Sequence, residues 1–282
     1  MGERRPTLTL VYLPHLDYDL QRFGPDHPRA ARAVAEVDAL CGELIDAARR
    51  EGMAVVALSE YGIGAVTGAV AVNRVLRRAG LAAVREELGH ELLDPGASAA
   101  FAVADHQVAH VYVRDAARVA EVAALLAAVP GVERVLHGEE RRLAGLDHPN
   151  SGEIVAIAAA DRWFSYGWWL DDDRAPDYAR TVDIHRKPGY DPCELFLDPA
   201  LPFPKLRIAW TLARRKLGQR PAMNVIPLDE SLVKGSHGRP PDHPDHGAVL
   251  ISSEPDLLPE GGVDPLAVKS LLLAHMFGAE AA

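Results

Sequence analysis

The residues able to do chemistry in this chain are carboxylates and imidazoles set at the ends of apolar runs. The stretch YLPHLDYDLQRFGP, residues 12–25, carries Asp17 just past the run TLTLVYLP, and a Gly24–Pro25 turn follows. A second run, MAVVALSE (53–60), stops at Glu60, with Tyr61 next. Late in the chain, G-S-H-G sets His237 in a glycine-flanked turn that can expose an imidazole to a pocket. Carboxylate and imidazole donors held at loops are the common protein ligands of divalent ions. In DIHRKPGYDP, an extended backbone would put Asp183 and His185 on one face. Such a pair can bind a metal, orient one another, or form salt links with Arg186 or Lys187, and the residues leave these options open. His106 and His110 flank an expected strand pair and read as structural. His243 and His246, in PPDHPDHG, read as a solvated loop, and His15 as a pocket-rim residue. No G-x-S-x-G elbow, G-x-x-x-x-G-K-[ST] loop or G-x-G-x-x-G turn is present, which removes the usual serine-hydrolase and nucleotide-fold signatures.

The elements that must position these groups follow a βα rhythm. TLTLVYLP (7–14) is apolar on both faces, as an interior parallel strand is. Residues 28–51 repeat apolar positions at helical spacing, with Pro28 near the start and Gly52 past the end. MAVVALSE is a second buried strand, and AVNRVLRRA (71–79) a short helix closed by Gly80. Strand, helix, strand, helix is doubly wound logic, in which functional groups gather at the carboxyl ends of strands. Residues 82–96 read as a polar hairpin and 99–113 as two strands around a turn. A helix over 114–129, a strand at VERVLHG, a short helix at EERRLAGL and a strand at SGEIVAIAA come next. This predicts a small α+β lobe inserted into the main sheet. The expected organisation is 1–80 for the first part of an α/β core, 81–162 for the inserted lobe, and 163–282 for a loop-rich return to the core. The Trp-rich stretch after residue 162 reads as packing. A helix over 205–217, a core strand GAVLISS (247–253) and a last amphipathic helix complete the chain.

Composition narrows the classes. The 282 residues, 48% hydrophobic and 25% charged, suit a globular protein able to bury a core. A net charge of −10 argues against general binding to nucleic acid or to an anionic membrane, so an anionic substrate needs a local positive source such as metal ions. No run of about 18 apolar residues offers a membrane span. Cys41 and Cys193 lack CxxC partners and read as buried thiols of a reducing, cytoplasmic compartment.

The motif residues resemble those of the alkaline phosphatase superfamily, in particular its nucleotide pyrophosphatase/phosphodiesterase branch. That branch carries a strand ending P-D-x-x-G-H followed by G-P, a strand ending S-D-H-G-[MF], and a late x-H-G turn before another core strand. Here the corresponding stretches are L-P-H-L-D-Y-D-L-Q-R-F-G-P, A-L-S-E-Y-G-I and G-S-H-G, in the same order. Asp17 occupies the position of the Asp ligand of one metal, and Gln21 stands where that motif has His. Glu60 and Tyr61 stand where the other metal has Asp and His. His237 fits the late His ligand.

The resemblance implies an alkaline-phosphatase-like parallel sheet with helices on both faces, and a hydrolase acting on a small phosphorylated substrate. It implies divalent ions (Zn, Mn or Mg), two of them in the complete protein. It also implies a Thr or Ser nucleophile upstream of the P-D-x-x-G-H region. Six residues precede the first apolar run here, so the expectation is the carboxyl-terminal part of a longer phosphodiesterase, without its nucleophile. The competing class is a non-catalytic descendant that binds a ligand or a partner in the old cleft. A single-metal site of Asp183, His185 and His237 in another superfamily is a third option.

Overall fold

A computed structural model describes residues 6–278. Helix α1 spans His15–Phe23 and α2 spans Pro28–Arg50, followed by β1 (Val56–Leu58), β2 (Gly64–Ala65) and β3 (Gly68–Ala71). Then come α3 (Val72–Arg78), β4 (Val84–Glu87), β5 (His90–Leu93), β6 (Ala100–Asp105), β7 (Val108–Val113) and α4 (Val119–Ala127). The middle of the chain continues with β8 (Val132–His137), α5 (Gly138–Leu143), β9 (Ile154–Ala158) and β10 (Arg162–Ser165). Last are α6 (Pro204–Lys216), β11 (Gly235–Ser236), β12 (Leu250–Ser252) and α7 (Val268–Phe277). The fold is mixed α/β. None of its helices among the described residues is long and apolar enough to cross a membrane.

The chain divides into two compact units, one of residues 1–19, 26–63 and 240–282, the other of residues 20–25 and 64–239. In the first unit, α2 opens with His27 as its cap, whose ring accepts the Arg29 N–H at 3.2 Å, and Pro28 follows in the first turn. It closes before Gly52, which adopts the positive φ of +68°. Strand β1 pairs antiparallel with β12, in the register Val56 to Ser252, and Ser252 Oγ lies 2.7 Å from His275 Nε2 on α7.

Two expectations are corrected here. Residues 7–14 belong to no sheet among the described residues; Leu10 and Tyr12 are 80% and 77% exposed. A run apolar on both faces becomes an interior strand only when neighbours supply both ladders, and no described strand pairs with it. Asp17 consequently lies in the first turn of α1 and not in a loop at a strand end. Leu16, Leu20 and Phe23 have helical spacing, a signal masked by the apolar run before them. The second correction is to the sheet. MAVVALSE and GAVLISS form only the short β1–β12 ribbon, antiparallel and largely exposed.

The second unit holds the main core. Its four-stranded sheet has the order β6-β7-β9-β8, antiparallel throughout. Strand β9, IVAIA, is buried at all five positions, while β6 and β7 alternate, placing Ala100, Ala102 and Ala104 inside opposite Val113, Val111 and Ala109. Leu76 of α3 and Leu126 of α4 pack into this core. Strands β3 and β10 form a parallel pair, the one parallel pairing of named strands among the described residues, so the large parallel sheet expected from the βα rhythm is replaced by small separate sheets. Asn73 at the start of α3 is fully buried; its side chain donates to the carbonyls of Ala102 and Tyr166 and accepts the Ala102 N–H. The tryptophans do pack: Trp168, Trp169 and Tyr166 form an edge-to-face cluster.

Candidate functional site

In the first unit, the sequence-derived pair Asp17 and Tyr61 meets directly. The Tyr61 hydroxyl donates to the Asp17 carboxylate, 3.1 Å from each oxygen. Burial, and then the Asp17 charge, push the phenol well above its ordinary range, so Tyr61 is a hydrogen-bond donor and not a phenolate. Glu60 is exposed beside it. Gly62, next in the chain, lies so close to the His246 carbonyl that any side chain there would collide with backbone, which fixes the path of the loop carrying Glu60 and Tyr61.

In the second unit, His237 sits at the end of β11, its ring 3.8 Å from that of His106, centroid to centroid. The opposite partner of His106 is Tyr190, stacked at 4.5 Å. His106 Nδ1 lies 3.4 Å from the Oγ of Ser236, a fully buried residue. Burial first, and the neighbouring His237 second, lower the His106 pKa to about 3, so the ring is neutral. Gln21, also in this unit, is buried, and its carbonyl accepts the Lys234 N–H at 2.9 Å, three residues before His237.

The DIHRKPGYDP segment is not extended over its first half: residues 184–186 turn, His185 is exposed, and the carboxylate of Asp183 lies 3.9 Å from Arg186. The expectation that Asp183 and His185 share a strand face therefore fails, because Lys187 redirects the chain inward. Its ammonium is fully buried, 2.7 Å from Asp191 and 2.6 Å from Glu194. Tyr190 then reaches His106 because Gly189 runs beside β6: the Tyr190 N–H donates to the Ala104 carbonyl at 3.0 Å. Sequence reasoning assigned His106 only a structural role and gave Tyr190 and Ser236 none. The readable signal was a histidine in a two-residue hairpin turn, D-H-Q-V, a position that favours glycine. Cys193 is buried, as expected, and burial pushes its thiol up, whereas Cys41 on α2 is half-buried.

A separate cleft of about 590 Å³ in the same unit is lined by Arg180, Asp198, Asp229 and Glu230. Burial raises the Glu230 pKa. A carboxyl group raised in the fold favours the folded state while protonated, and that advantage is lost as pH rises through its folded pKa. Glu230→Gln, which keeps the neutral shape, should therefore raise stability at pH 8 relative to the parent and by less at pH 4, measured by urea unfolding.

Residues 1–191 match the type I phosphodiesterase / nucleotide pyrophosphatase family. The chain belongs to this family. Over 63 residues it is 36% identical to an uncharacterized pyrophosphatase/phosphodiesterase of Schizosaccharomyces pombe, covering 21% of this chain and 13% of that protein. Among solved structures it is similar to phosphonoacetate hydrolase from Sinorhizobium meliloti 1021 in complex with phosphonoformate, with a TM-score of 0.45 and 18% identity over 94% of this chain and 49% of that one. It is also similar to murine ectonucleotide pyrophosphatase / phosphodiesterase 5, with a TM-score of 0.38 and 19% identity over 52% and 36%. The phosphodiesterase-family chain thus spans about half, or less, of the length of these relatives.

Members of the superfamily are metal-dependent hydrolases. No group of three or more His, Cys, Asp or Glu able to hold a metal occurs among the described residues, and both Asp17 oxygens face the Tyr61 hydroxyl.

Proposed function

We propose that this chain is a divalent-metal-dependent phosphoric ester hydrolase of the phosphodiesterase/nucleotide pyrophosphatase type. The family match over residues 1–191 carries this reading. In the first unit, Asp17 and Glu60 are proposed donors to Zn, Mn or Mg and Tyr61 a proposed pocket residue; in the second, His237 is a proposed donor and Gln21, Asp183 and His185 are proposed pocket residues. Metal dependence rests on the family relationship and the donor chemistry, not on an assembled ligand set. Carboxylates and a single imidazole favour oxygen-preferring ions such as Mn or Mg. The substrate proposed is a small phosphate ester, recognised through its anionic oxygens. No nucleophile is assigned, because Thr67, the nearest hydroxyl to a motif, bonds Asp161 Oδ2 at 3.0 Å in the second unit. The two free cysteines support a reducing, cytoplasmic setting.

The test is binding of adenosine monophosphate to the 282-residue chain by calorimetry, with and without Mn²⁺. The ion should tighten binding about ten-fold or more, a gain lost in Asp17→Asn, since a cation held there would screen the phosphate charge. Affinity indifferent to both Mn²⁺ and Asp17→Asn would overturn the proposal.

A further inference from the structure

We infer that His106 is a positioning residue for His237: its imidazole is the platform, backed by Tyr190, on which the His237 ring rests. The tip of the β6–β7 hairpin is built for this. His106 has a φ of +54°, a left-handed conformation that costs a residue with a Cβ about 1 kcal/mol or more. Yet the tip is buried, with His106 at 5% and Gln107 at 3% exposure, and it is pinned on several sides. The Phe164 N–H donates to the His106 carbonyl at 2.7 Å, and the Gln107 side chain donates to the carbonyls of Ala160 and Arg162. Most directly, the Gln107 N–H donates to the carbonyl of His237 itself at 2.8 Å. Backbone and ring of His237 are therefore both held by two consecutive residues of one turn. A plain two-residue hairpin would use Gly at the first central position; the sequence spends a strained, buried histidine there, and the ring pairs with Tyr190 and His237 while its nitrogens lie 3.4 Å from Ser236 Oγ and 3.8 Å from Asp105 Oδ1.

Behind the platform, Gly189 and the buried Lys187 ion pairs fix Tyr190 against the other side of the His106 ring. This gives the DIHRKPGYDP segment a role: it is the back wall of the His237 turn. His237 then meets a ligand with one ring orientation, and a displaced ring loses about ten-fold or more in binding, as misplaced groups of preorganised sites do. The inference rests on the proposed function only in taking His237 as a donor to the cation through which the phosphoryl ligand is bound.

The experiment uses the full 282-residue chain and two readouts, the His237 ring resonances by NMR and affinity for adenosine monophosphate. His106→Asn keeps a side chain tolerant of positive φ but removes the ring. It should move the His237 resonances toward those of an unstacked imidazole and weaken binding as much as His237→Ala does. His106→Phe keeps a flat ring and should restore both readouts to within about two-fold of the parent affinity. Tyr190→Leu, which leaves His106 in place, should shift the His237 resonances in the same sense and serves if the His106 variants do not fold. Unmoved His237 resonances in His106→Asn or Tyr190→Leu would overturn the inference, as would a folded His106→Phe as impaired as His106→Asn. If His237→Ala leaves affinity unchanged, the proposed function fails at His237, while the resonance shifts still decide the platform.

Discussion

Lys187→Met should lower the stability of the chain by about 3–5 kcal/mol, the range for breaking a buried ion pair by removing one partner. The ammonium has no solvent exposure and lies against two carboxylates, Asp191 at 2.7 Å and Glu194 at 2.6 Å, themselves nearly buried. Asp191 also accepts the Cys193 N–H, and Glu194 the Asp183 N–H, so residues 183–194 fold around this charge triad. Methionine matches the volume of the lysine stem but leaves the triad with buried negative charge alone. Asp191→Asn and Glu194→Gln added to Lys187→Met remove that charge and should recover a large part of the loss. Urea unfolding followed by tryptophan fluorescence reads the effect, since Trp168 and Trp169 share this unit. A midpoint unchanged in Lys187→Met would show that the triad contributes nothing to the fold.

Gly189→Ala should cost roughly 2–4 kcal/mol, from forced positive φ together with steric overlap. Its φ is +112°, a region L side chains rarely adopt, and a methyl there would overlap the carbonyl oxygen of Ala104 in β6. Neither problem can be relieved without separating the 188–190 backbone from β6, which breaks the hydrogen bond from Tyr190 N–H to Ala104. The effect should thus reach the site, with Tyr190 losing its stack on His106. A urea midpoint within error of the parent, with the His106–Tyr190 stack intact by NMR, would show that the segment is free to move away from β6.

Local elements of the second unit were readable because their signals are local. The hairpin of β6 and β7 alternates buried Ala and Val with half-buried residues such as Phe101, His110 and Tyr112, and α4 carries its own apolar stripe, so periodicity alone finds them. Residues 7–14 were misread for the opposite reason: a run of Leu, Val and Tyr says that burial is available, not that a neighbour is present. The same limit hid α1, where Asp17 lies on a helix instead of a strand end. Motif order in the sequence points to Asp17, Tyr61 and His237 as candidates, but the Asp17–Tyr61 hydrogen bond and the close His106–His237 ring contact are not legible in it. They join residues 44 and 131 positions apart, and no spacing rule reaches that far. The sequence offers Arg186 or Lys187 as a salt link to the Asp183–His185 pair; the burial of Lys187 depends on a turn at residues 184–186 that the alternating polar pattern conceals.

Metal content tests the central claim most directly. The purified 282-residue chain, dialysed against Mn²⁺ and then against metal-free buffer, should retain the ion stoichiometrically by elemental analysis. Asp17→Asn and His237→Ala should each reduce retention about ten-fold or more, at least the loss that follows from removing a group hydrogen-bonded to a metal ligand. Tyr61→Phe, which frees the Asp17 oxygens from the phenol hydroxyl, should retain the ion at least as well as the parent. Absence of stoichiometric Mn²⁺, Zn²⁺ or Mg²⁺ after such loading, or retention indifferent to Asp17→Asn and His237→Ala, would contradict the account.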